Sequence, residues 1–419
     1  MITRAAFRFS VLYLGLFMLA GQVAGSLFLV PGVSFRGLGP LWPMREITFW
    51  VARSLFGVEG TPDPSGANGE TVFFWVQTAW ILVFAVIGAC VWSVFDRRRE
   101  HSSAVDKWFR LCVRLGLAAQ MFEYGATKII PNQFAAPSLN VLATPTGDLS
   151  LNTLLWTSIG ASPGYQIFTG SVELVGGVLL LIPRTTTAGA LVSAAALIQI
   201  FVLNMAYDIG LKLTTFHLIL LALFLLAPDV SRLARFFFLN RAVEASPVRA
   251  LFRVPHANRR ALAAQLLLGL YLIGFQAWLN LDYWYATGGG APRSALYGIW
   301  DVEELTLDGV AGPPSENDYD RRWRRVIFDS PGGVTFQRTD DSLARYGAAI
   351  DVERGTLALT RGGSRNWEAG FAFRRPSAGR LVLDGEMDGY EIHLDLRLVE
   401  FDTFRLLNSH FRWIRPDEE

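Results

Sequence analysis

The amino-acid sequence predicts a mainly α-helical polytopic membrane bundle of about seven transmembrane helices, followed by a C-terminal all-β barrel. Hydrophobic residues make up 51% of the 419 residues, and charged residues only 18%, below the roughly 25% of an ordinary soluble domain. Long apolar runs are confined to residues 1–284, whereas residues 290–419 alternate short apolar and polar stretches. The two parts are therefore predicted to fold in different solvents, hydrocarbon and water.

Each predicted span is a run of about 20 mostly apolar residues, which is the length that crosses the hydrocarbon layer as a helix. The runs are 8–30, 72–95, 109–130, 166–183, 187–207, 211–228 and 261–283. The first run is too long for the apolar core of a cleaved signal peptide, so we expect it to remain as a span. Segment 46–58 is too short to cross and contains Arg53, which predicts a helix lying in the membrane interface.

The distribution of Lys and Arg predicts the orientation, because cytoplasmic loops carry an excess of these residues. With the N-terminus inside, the basic stretches around 97–114 and 232–260 also fall inside, and the short outer segments carry few basic residues. An odd number of spans then places the C-terminal part outside. We expect a bacterial inner-membrane protein with a cytoplasmic N-terminus and a periplasmic or extracytoplasmic β-domain, in contact with membrane lipids.

Three ionisable residues in the spans are the candidate catalytic residues, because a charge in hydrocarbon is costly unless it is paired or hydrated. Glu123 and Glu173 each lie about seven residues from the outer end of a helix, roughly 10 Å deep at 1.5 Å per residue. His217 lies near the outer start of a later span. These groups are suited to carry protons or to hydrogen-bond a ligand head group.

A second set of residues lies at the same outer level and is predicted to contact the ligand or to set the local charge. Its members are Lys128, Gln133, Asn204, Asp208, Lys212, Gly176 and Gly177. An antiparallel bundle would bring both sets to one depth in the outer half of the membrane. The two glycines either leave room for a ligand or let helices pack closely.

Structural roles explain the same residues without a ligand. Glu123 with Lys212, or Glu173 with Lys128, would form ion pairs that fix the register of the bundle. His217 would be a hydrogen-bonded core residue. Both interpretations stay open at this point, because a cluster of ionisable groups indicates function only statistically.

The net charge and the motifs narrow the class of function. A formal net charge of +1 gives no basic footprint for nucleic acid, so no nucleic-acid partner is expected. No HxxxH or ExxH spacing occurs, so no metal site is expected. Haem, iron–sulfur and dinucleotide motifs are also missing from the sequence, so any electrons would have to be carried by a partner or a quinone.

Three runs resemble the DoxX/DoxD-like membrane family: FEYGATKIIPNQF (122–134), FTGSVELVGGVLLLIPRTTTAGAL (168–191) and KLTTFHLILLALFLL (212–226). The G-x-x-K motif of the family is matched by Gly125 and Lys128. Its G-x-x-E-hydrophobic-G-G motif is matched by Gly170, Glu173, Gly176 and Gly177. The resemblance covers roughly 108–228 and implies a four-helix module. Some members are subunits of quinone-linked oxidoreductases, such as thiosulfate:quinone oxidoreductase, which implies a bound quinone and a redox partner protein.

Residues 296–415 are predicted to form eight or nine strands at barrel-like spacing. Tight hairpin turns are predicted at Asp384-Gly385 and at Asp388-Gly389. A closed barrel of about eight strands either holds one small ligand or is filled by side chains, and both alternatives stay open.

The opening Gly298-Ile299-Trp300 is similar to the G-x-W strand of lipocalin-like barrels. In that family a late Arg packs over the Trp, and Arg412 is the candidate here. The predicted organisation has four parts, which are N-terminal membrane helices with an outer loop, the DoxX-like module, an inner basic segment with the last span, and the lipocalin-like barrel. Their ranges are 1–107, 108–228, 229–287 and 290–419.

Two functions follow as hypotheses. The first is a quinone-linked redox subunit that binds a quinone or a lipid head group in the outer half of the bundle. The second is a non-enzymatic membrane anchor that presents the barrel to a lipophilic ligand or an envelope protein. A transporter is less favoured, because corresponding halves with paired interrupted helices are not evident in the sequence.

Overall fold

The computed structural model describes residues 4–60, 62–64, 70–95, 101–245, 250–312, 319–362, 367–408 and 413–414. The chain forms two compact units. The helical unit comprises Met1–Gln133 and Gly164–Asp282, and the barrel unit comprises Phe134–Pro163 and Tyr283–Glu419. The predicted combination of a membrane helix bundle and a C-terminal barrel is confirmed.

The α-helices of the described residues, in chain order, are α1 Arg4–Ala20, α2 Gln22–Leu27, α3 Met44–Phe56, α4 Val72–Phe95, α5 His101–Ile129, α6 Leu139–Ala143, α7 Leu151–Gly160, α8 Pro163–Leu181, α9 Thr186–Ala206, α10 Lys212–Leu226, α11 Val230–Phe237 and α12 Pro255–Ala286. Segment 46–58, predicted as an interfacial helix, lies largely in α3.

By length and composition, five helical stretches of the described chain can cross a membrane. They are Val72–Phe95, Pro163–Leu181, Thr186–Ala206, Lys212–Phe237 and Pro255–Ala286. The other two predicted spans differ in form. The run 8–30 is two helices, α1 and α2, and the run 109–130 lies within the 29-residue α5, which carries several charged side chains.

The break between α1 and α2 at Gly21 is stabilised by a loop that follows α2. The backbone N–H groups of Leu38 and Gly39 donate to the carbonyl oxygens of Leu19 and Ala20, at 2.8 and 3.0 Å. The α1 carbonyls left without a helical partner are thereby satisfied. The interrupted helix exposes backbone and small side chains to the bundle interior, next to the site described below.

The core of the helical unit forms around α5. Its Leu117, Met121 and Phe122 are fully buried and belong to one apolar cluster with Leu180 of α8 and Leu218 of α10. The middle of α5 packs against other helices, so the polar side chains in this region need hydrogen-bond partners within the protein.

The strands of the barrel unit are β1 Gly298–Leu307, β2 Val310–Ala311, β3 Trp323–Ser330, β4 Gly333–Arg338, β5 Leu343–Asp351, β6 Thr356–Thr360, β7 Glu368–Ser377, β8 Arg380–Met387 and β9 Tyr390–Leu398. Neighbours pair antiparallel in the order β2-β1-β3-β4-β5-β6-β7-β8-β9, and β1 also pairs with β9. This closes β1 and β3 to β9 into an eight-strand barrel, on which β2 is a short addition.

One predicted hairpin turn is confirmed and one is wrong. Asp388 and Gly389 join β8 to β9 with φ values of 55° and 81°, the left-handed pair that a tight two-residue hairpin needs. Asp384 and Gly385 instead lie inside β8. Gly385 allows β8 to lie close to β7, because a Cβ at this position would lie 2.7 Å from the Cα of Phe371 on β7.

The barrel interior is filled by side chains. Trp300, Phe336 and Leu383 are fully buried in one apolar cluster that draws on most of the strands. The Arg412 predicted to pack over Trp300 lies outside the described residues. Within them, the guanidinium of Arg375 lies over the Trp300 ring, 5.7 Å from its centroid.

The segment between α5 and α8 packs on the outside of the barrel, although the sequence pattern assigned it to the 108–228 module. Leu139 and Ala143 of α6 form a buried apolar cluster with Ile299 of β1 and Ile327 of β3. The side-chain amide of Gln337 on β4 donates to the Ala143 carbonyl at 2.9 Å. Outward-facing apolar residues of β1 and β3 are covered in this way.

Candidate functional site

A buried ion pair joins α5 to α8. The ammonium of Lys128 lies 2.8 Å from both carboxylate oxygens of Glu173, and the two side chains are only 6% and 3% exposed. The Lys128 ammonium also lies 5.6 Å from the centroid of the Tyr124 ring. Of the two ion pairs that sequence reasoning suggested, this one forms.

Glycines let the two helices approach at the ion pair. A Cβ on Gly125 would lie 2.8 Å from the Gly170 carbonyl oxygen, closer than real Cβ atoms come. Gly176 and Gly177, predicted to leave room for a ligand or to pack closely, do the latter. A Cβ on Gly177 would lie 2.6 Å from the Phe122 ring, and one on Gly176 would meet Ser193 of α9 at 2.8 Å.

Glu123 has different partners from those predicted. Its carboxylate accepts hydrogen bonds from the Ser26 hydroxyl of α2 and from the Gln120 side-chain amide, the latter at 2.9 Å. The Gln120 amide also donates to Ser26. Lys212, the predicted ion partner of Glu123, instead contacts two other carboxylates. The Glu123 carboxylate is thus held by neutral donors.

A cavity of about 380 Å³ lies in the helical unit, and Glu123 forms part of its wall. Its polar wall also includes Gln22, Ser26, Gln77 and Thr214, and its aromatic wall consists of Phe17, Phe35 and Phe74. Most of these residues come from α1, α2, α4 and α10 and from the loop after α2. Gly21 and Gln22 both line the cavity, so the break between α1 and α2 lies in its wall.

A polar network connects the cavity wall to the ion pair. The Gln22 side-chain amide donates to the Gln120 side-chain oxygen at 2.8 Å and to the Tyr124 hydroxyl. The Tyr124 ring in turn faces the Lys128 ammonium. Two carboxylates, Glu123 and Glu173, thus flank one continuous set of polar side chains on α2, α5 and α8.

His217 is a hydrogen-bonded core residue, as one of the two interpretations of the sequence had it. Its Nδ1 donates to the Leu213 carbonyl at 2.7 Å, so in the neutral ring Nε2 accepts from the Tyr13 hydroxyl at 2.7 Å. The imidazole stacks on Phe17, with 3.7 Å between centroids. Phe17 lines the cavity and His217 does not, so His217 contacts the cavity wall through its stacking on Phe17.

The remaining predicted residues have local partners. Lys212 lies 2.9 Å from Asp208 and 3.6 Å from Glu70, and the Asp208 side chain is 91% exposed. The hydrogen bond from Lys212 lowers the pKa of Asp208, which precedes the span. The predicted set therefore divides into separate groups that do not form one cluster.

Two further predicted residues also bond within short distances along the chain. The Asn204 side-chain amide donates to the Thr215 hydroxyl at 3.3 Å, which joins the end of α9 to the start of α10. The Gln133 backbone N–H donates to the carbonyl of Thr127 at 3.0 Å, at the end of α5. Neither residue lines the cavity.

Sequence reasoning missed Gln22, Ser26, Gln77 and Gln120. A signal existed for three of them. Gln22 and Ser26 are four residues apart in an apolar run and therefore share one face of a helix. Gln120 precedes Glu123 by three residues on α5, which gives the same relation. Uncharged polar residues in spans are tolerated more easily than charges, so they drew less attention.

Comparison with known proteins identifies one relative. The chain is 34% identical over 126 residues to a Bacillus subtilis (strain 168) protein described as "Uncharacterized protein YwoB", and the match spans 30% of this chain and 80% of that protein. No protein-family model matches the chain, and no solved structure matches it.

Proposed function

We propose that this chain, which belongs to the family of the Bacillus subtilis protein YwoB, binds the head group of a quinone-like amphiphile in the cavity next to Glu123. The observation that carries the proposal is a carboxylate in the wall of a cavity between membrane helices. A cavity of about 380 Å³ is within the usual range of small-molecule sites, roughly 300–1,000 Å³.

The wall fits a flat ring with polar edges. Three Phe side chains supply apolar surface, and the side chains of Thr214 and Gln276, which also line the cavity, carry hydrogen-bond donors for carbonyl oxygens. A bound quinone supplies two such oxygens, together with redox chemistry that takes up protons. Glu123 would exchange a proton at its carboxylate, and Ser26 would orient that carboxylate.

The resemblance to DoxX-like proteins adds to this proposal. The two motifs that carry the resemblance meet at Gly125 and Gly170 and in the Lys128–Glu173 ion pair. The ion pair would fix α5 against α8, and thus the position of Glu123 on α5. Electron transfer would require a separate redox protein, because the sequence carries no haem, flavin or iron–sulfur motif.

The proposal includes the membrane orientation. The excess of Lys and Arg in the segments predicted inside supports a cytoplasmic N-terminus in a bacterial inner membrane and an extracytoplasmic barrel unit. Protease treatment of intact spheroplasts should then degrade the barrel unit and leave an epitope at the N-terminus protected. The reverse pattern would overturn this orientation.

The alternative function, an anchor for a ligand-carrying barrel, receives less support. The interior of the barrel is filled by buried side chains such as Trp300 and Phe336, which leaves the docking of an envelope protein as the remaining form of that hypothesis.

A binding experiment tests the cavity. The full-length protein in mild detergent is titrated with a short-chain ubiquinone analogue and with a menaquinone analogue by isothermal calorimetry. Glu123→Gln should weaken the binding of the reduced, quinol form of the preferred analogue about ten-fold, because the quinol hydroxyl would lose its hydrogen bond to a charged carboxylate. Thr78→Phe, which places a ring inside the cavity wall, should abolish binding.

Asp208→Asn is the matched control, because it also turns a carboxylate into an amide but lies on an exposed side chain away from the cavity. It should bind like the wild type. Equal affinity of Glu123→Gln, Thr78→Phe and wild type would overturn the proposal, as would the failure of both analogues to bind a folded wild-type protein.

A further inference from the structure

An aromatic strip covers the end of α11. Phe236, Phe237, Phe238 and Leu239 follow one another in the chain and are between 56% and 86% exposed. Leu233, one turn before Phe236 and Phe237, packs against the core of the helical unit. The aromatic strip is therefore exposed, although α11 itself packs against the helical unit through Leu233.

A turn at the end of α11 brings two arginines together. Phe238 N–H donates to the Ala234 carbonyl, and Arg241 N–H donates back to the Arg235 carbonyl, both at 3.0 Å. Asn240 makes this reversal possible with a left-handed φ of 46°, the conformation that commonly ends helices. The turn returns the backbone of Arg241 to that of Arg235, at the edge of the aromatic strip.

These two guanidinium groups carry uncompensated charge. Arg235 and Arg241 are exposed, and neither forms an ion pair within the part of the chain that the structure describes. Arg232, one turn earlier, differs because it pairs with Asp229 at 2.6 Å. The surface thus combines four exposed apolar side chains with two exposed arginines whose backbones are hydrogen-bonded to each other.

The position in the chain indicates what covers this surface. The helical stretch Lys212–Phe237 is long and apolar enough to cross a membrane, and the strip lies at its end. Aromatic side chains flanked by basic residues suit the boundary between acyl chains and head groups. A guanidinium binds a phosphate through two parallel hydrogen bonds, and two of them favour a head group with a net negative charge.

We propose that the Arg235–Arg241 surface binds the phosphate of an anionic phospholipid, with the aromatic strip resting on its acyl chains. This inference is independent of the quinone cavity, which is lined by none of these residues. The lipid would anchor the end of the α10–α11 stretch at one membrane surface.

Lipid retention by the full-length protein tests the proposal. Detergent-purified protein is incubated with equal amounts of phosphatidylglycerol and phosphatidylcholine of the same acyl chains, and bound lipids are counted by native mass spectrometry. The wild type should retain phosphatidylglycerol over phosphatidylcholine. The double variant R235Q/R241Q should reduce this preference about 25-fold at low salt. Each basic residue near an anionic surface contributes about five-fold, and the two factors multiply.

A charge-matched control separates a local site from net charge. R354Q/R374Q removes two exposed arginines of the barrel unit, with side chains 83% and 68% exposed, and should keep the wild-type preference. Thermal melts should confirm that both double variants are folded, as expected for exposed side chains. Equal retention of both lipids by the wild type, an unchanged preference in R235Q/R241Q, or an equal loss in the control would each overturn the proposal.

Discussion

The Lys128–Glu173 ion pair is the most deeply buried charge pair of the helical unit that the structure describes, and Glu173→Gln is the informative perturbation. The substitution keeps the shape of the side chain and its hydrogen-bonding oxygen but removes the negative charge. Lys128 would then face one amide oxygen and the Tyr124 ring in a site that excludes water.

Two opposing effects determine the magnitude. At an effective dielectric constant of about 20, unit charges 2.8 Å apart attract each other by roughly 6 kcal/mol. Removing both ions from water costs several kcal/mol each, so the net contribution of the pair is small. Losing one partner leaves the other desolvated without compensation, and such changes cost about 3–5 kcal/mol. We expect about 3 kcal/mol for Glu173→Gln, because the amide oxygen still accepts from Lys128.

The double variant Lys128→Met/Glu173→Leu removes both charges and keeps similar volumes. Its unfolding free energy should lie within about 1 kcal/mol of the wild type, since well-packed apolar residues often replace a buried pair without loss. Equilibrium unfolding of the purified protein in mixed micelles with increasing SDS measures these differences. Asp208→Asn, in an exposed ion pair, is the control and should leave stability unchanged.

Two results would refute this reasoning. One is a cost below about 1 kcal/mol for Glu173→Gln, which would mean that the Lys128 charge is hydrated or has another partner. The other is a double variant as unstable as the single one, which would place the effect in packing. A stable double variant that no longer binds the quinone analogue would show that the pair also serves the site.

Three further predictions concern other parts of the molecule. Leu139→Ala should lower the unfolding free energy of the barrel unit by about 2–4 kcal/mol, measured by hydrogen exchange of its strands, because this side chain is buried under the outer face of the barrel. Tyr13→Phe should destabilise the helical unit by about 1–2 kcal/mol in SDS unfolding, because Nε2 of His217 loses its buried donor; an unchanged midpoint would contradict this. The hydrogen bond from His393 holds the pKa of Asp384 below its ordinary 3.8. The ionised Asp384 should therefore stabilise the barrel unit above pH 3.8, and this stabilisation should be lost as the pH falls through the lowered pKa. Asp384→Asn should therefore increase exchange of β8 and β9 amides at pH 6 but not below the lowered pKa, and equal protection at pH 6 would be the contrary result.

Much of the architecture could be predicted because it depends on patterns along one chain segment. Apolar runs of about 20 residues and an alternating tail predicted the helices and the barrel. The interruption at Gly21 could not be read in this way. It depends on a distant loop whose Leu38 and Gly39 backbone groups satisfy the exposed carbonyls of α1.

The contacts of the candidate site could be predicted only in part. Glu173 with Lys128 was one of the suggested ion pairs and it forms, whereas Glu123 turned out to be bonded to Ser26 rather than to Lys212. Consecutive residues differ by about 100° around a helix axis, and the rotation of each helix against its neighbours depends on side-chain packing. Small residues such as Gly125 and Gly170 determine that packing through contacts far apart in sequence.

The amino-acid sequence alone specified the apolar helices and the barrel of this protein, because hydrophobicity and its period are properties of neighbouring positions. Which carboxylate lines a cavity, which one is neutralised by an amine, and whether the barrel is filled emerge only once the elements are packed. Those outcomes depend on distances between side chains that no local pattern contains.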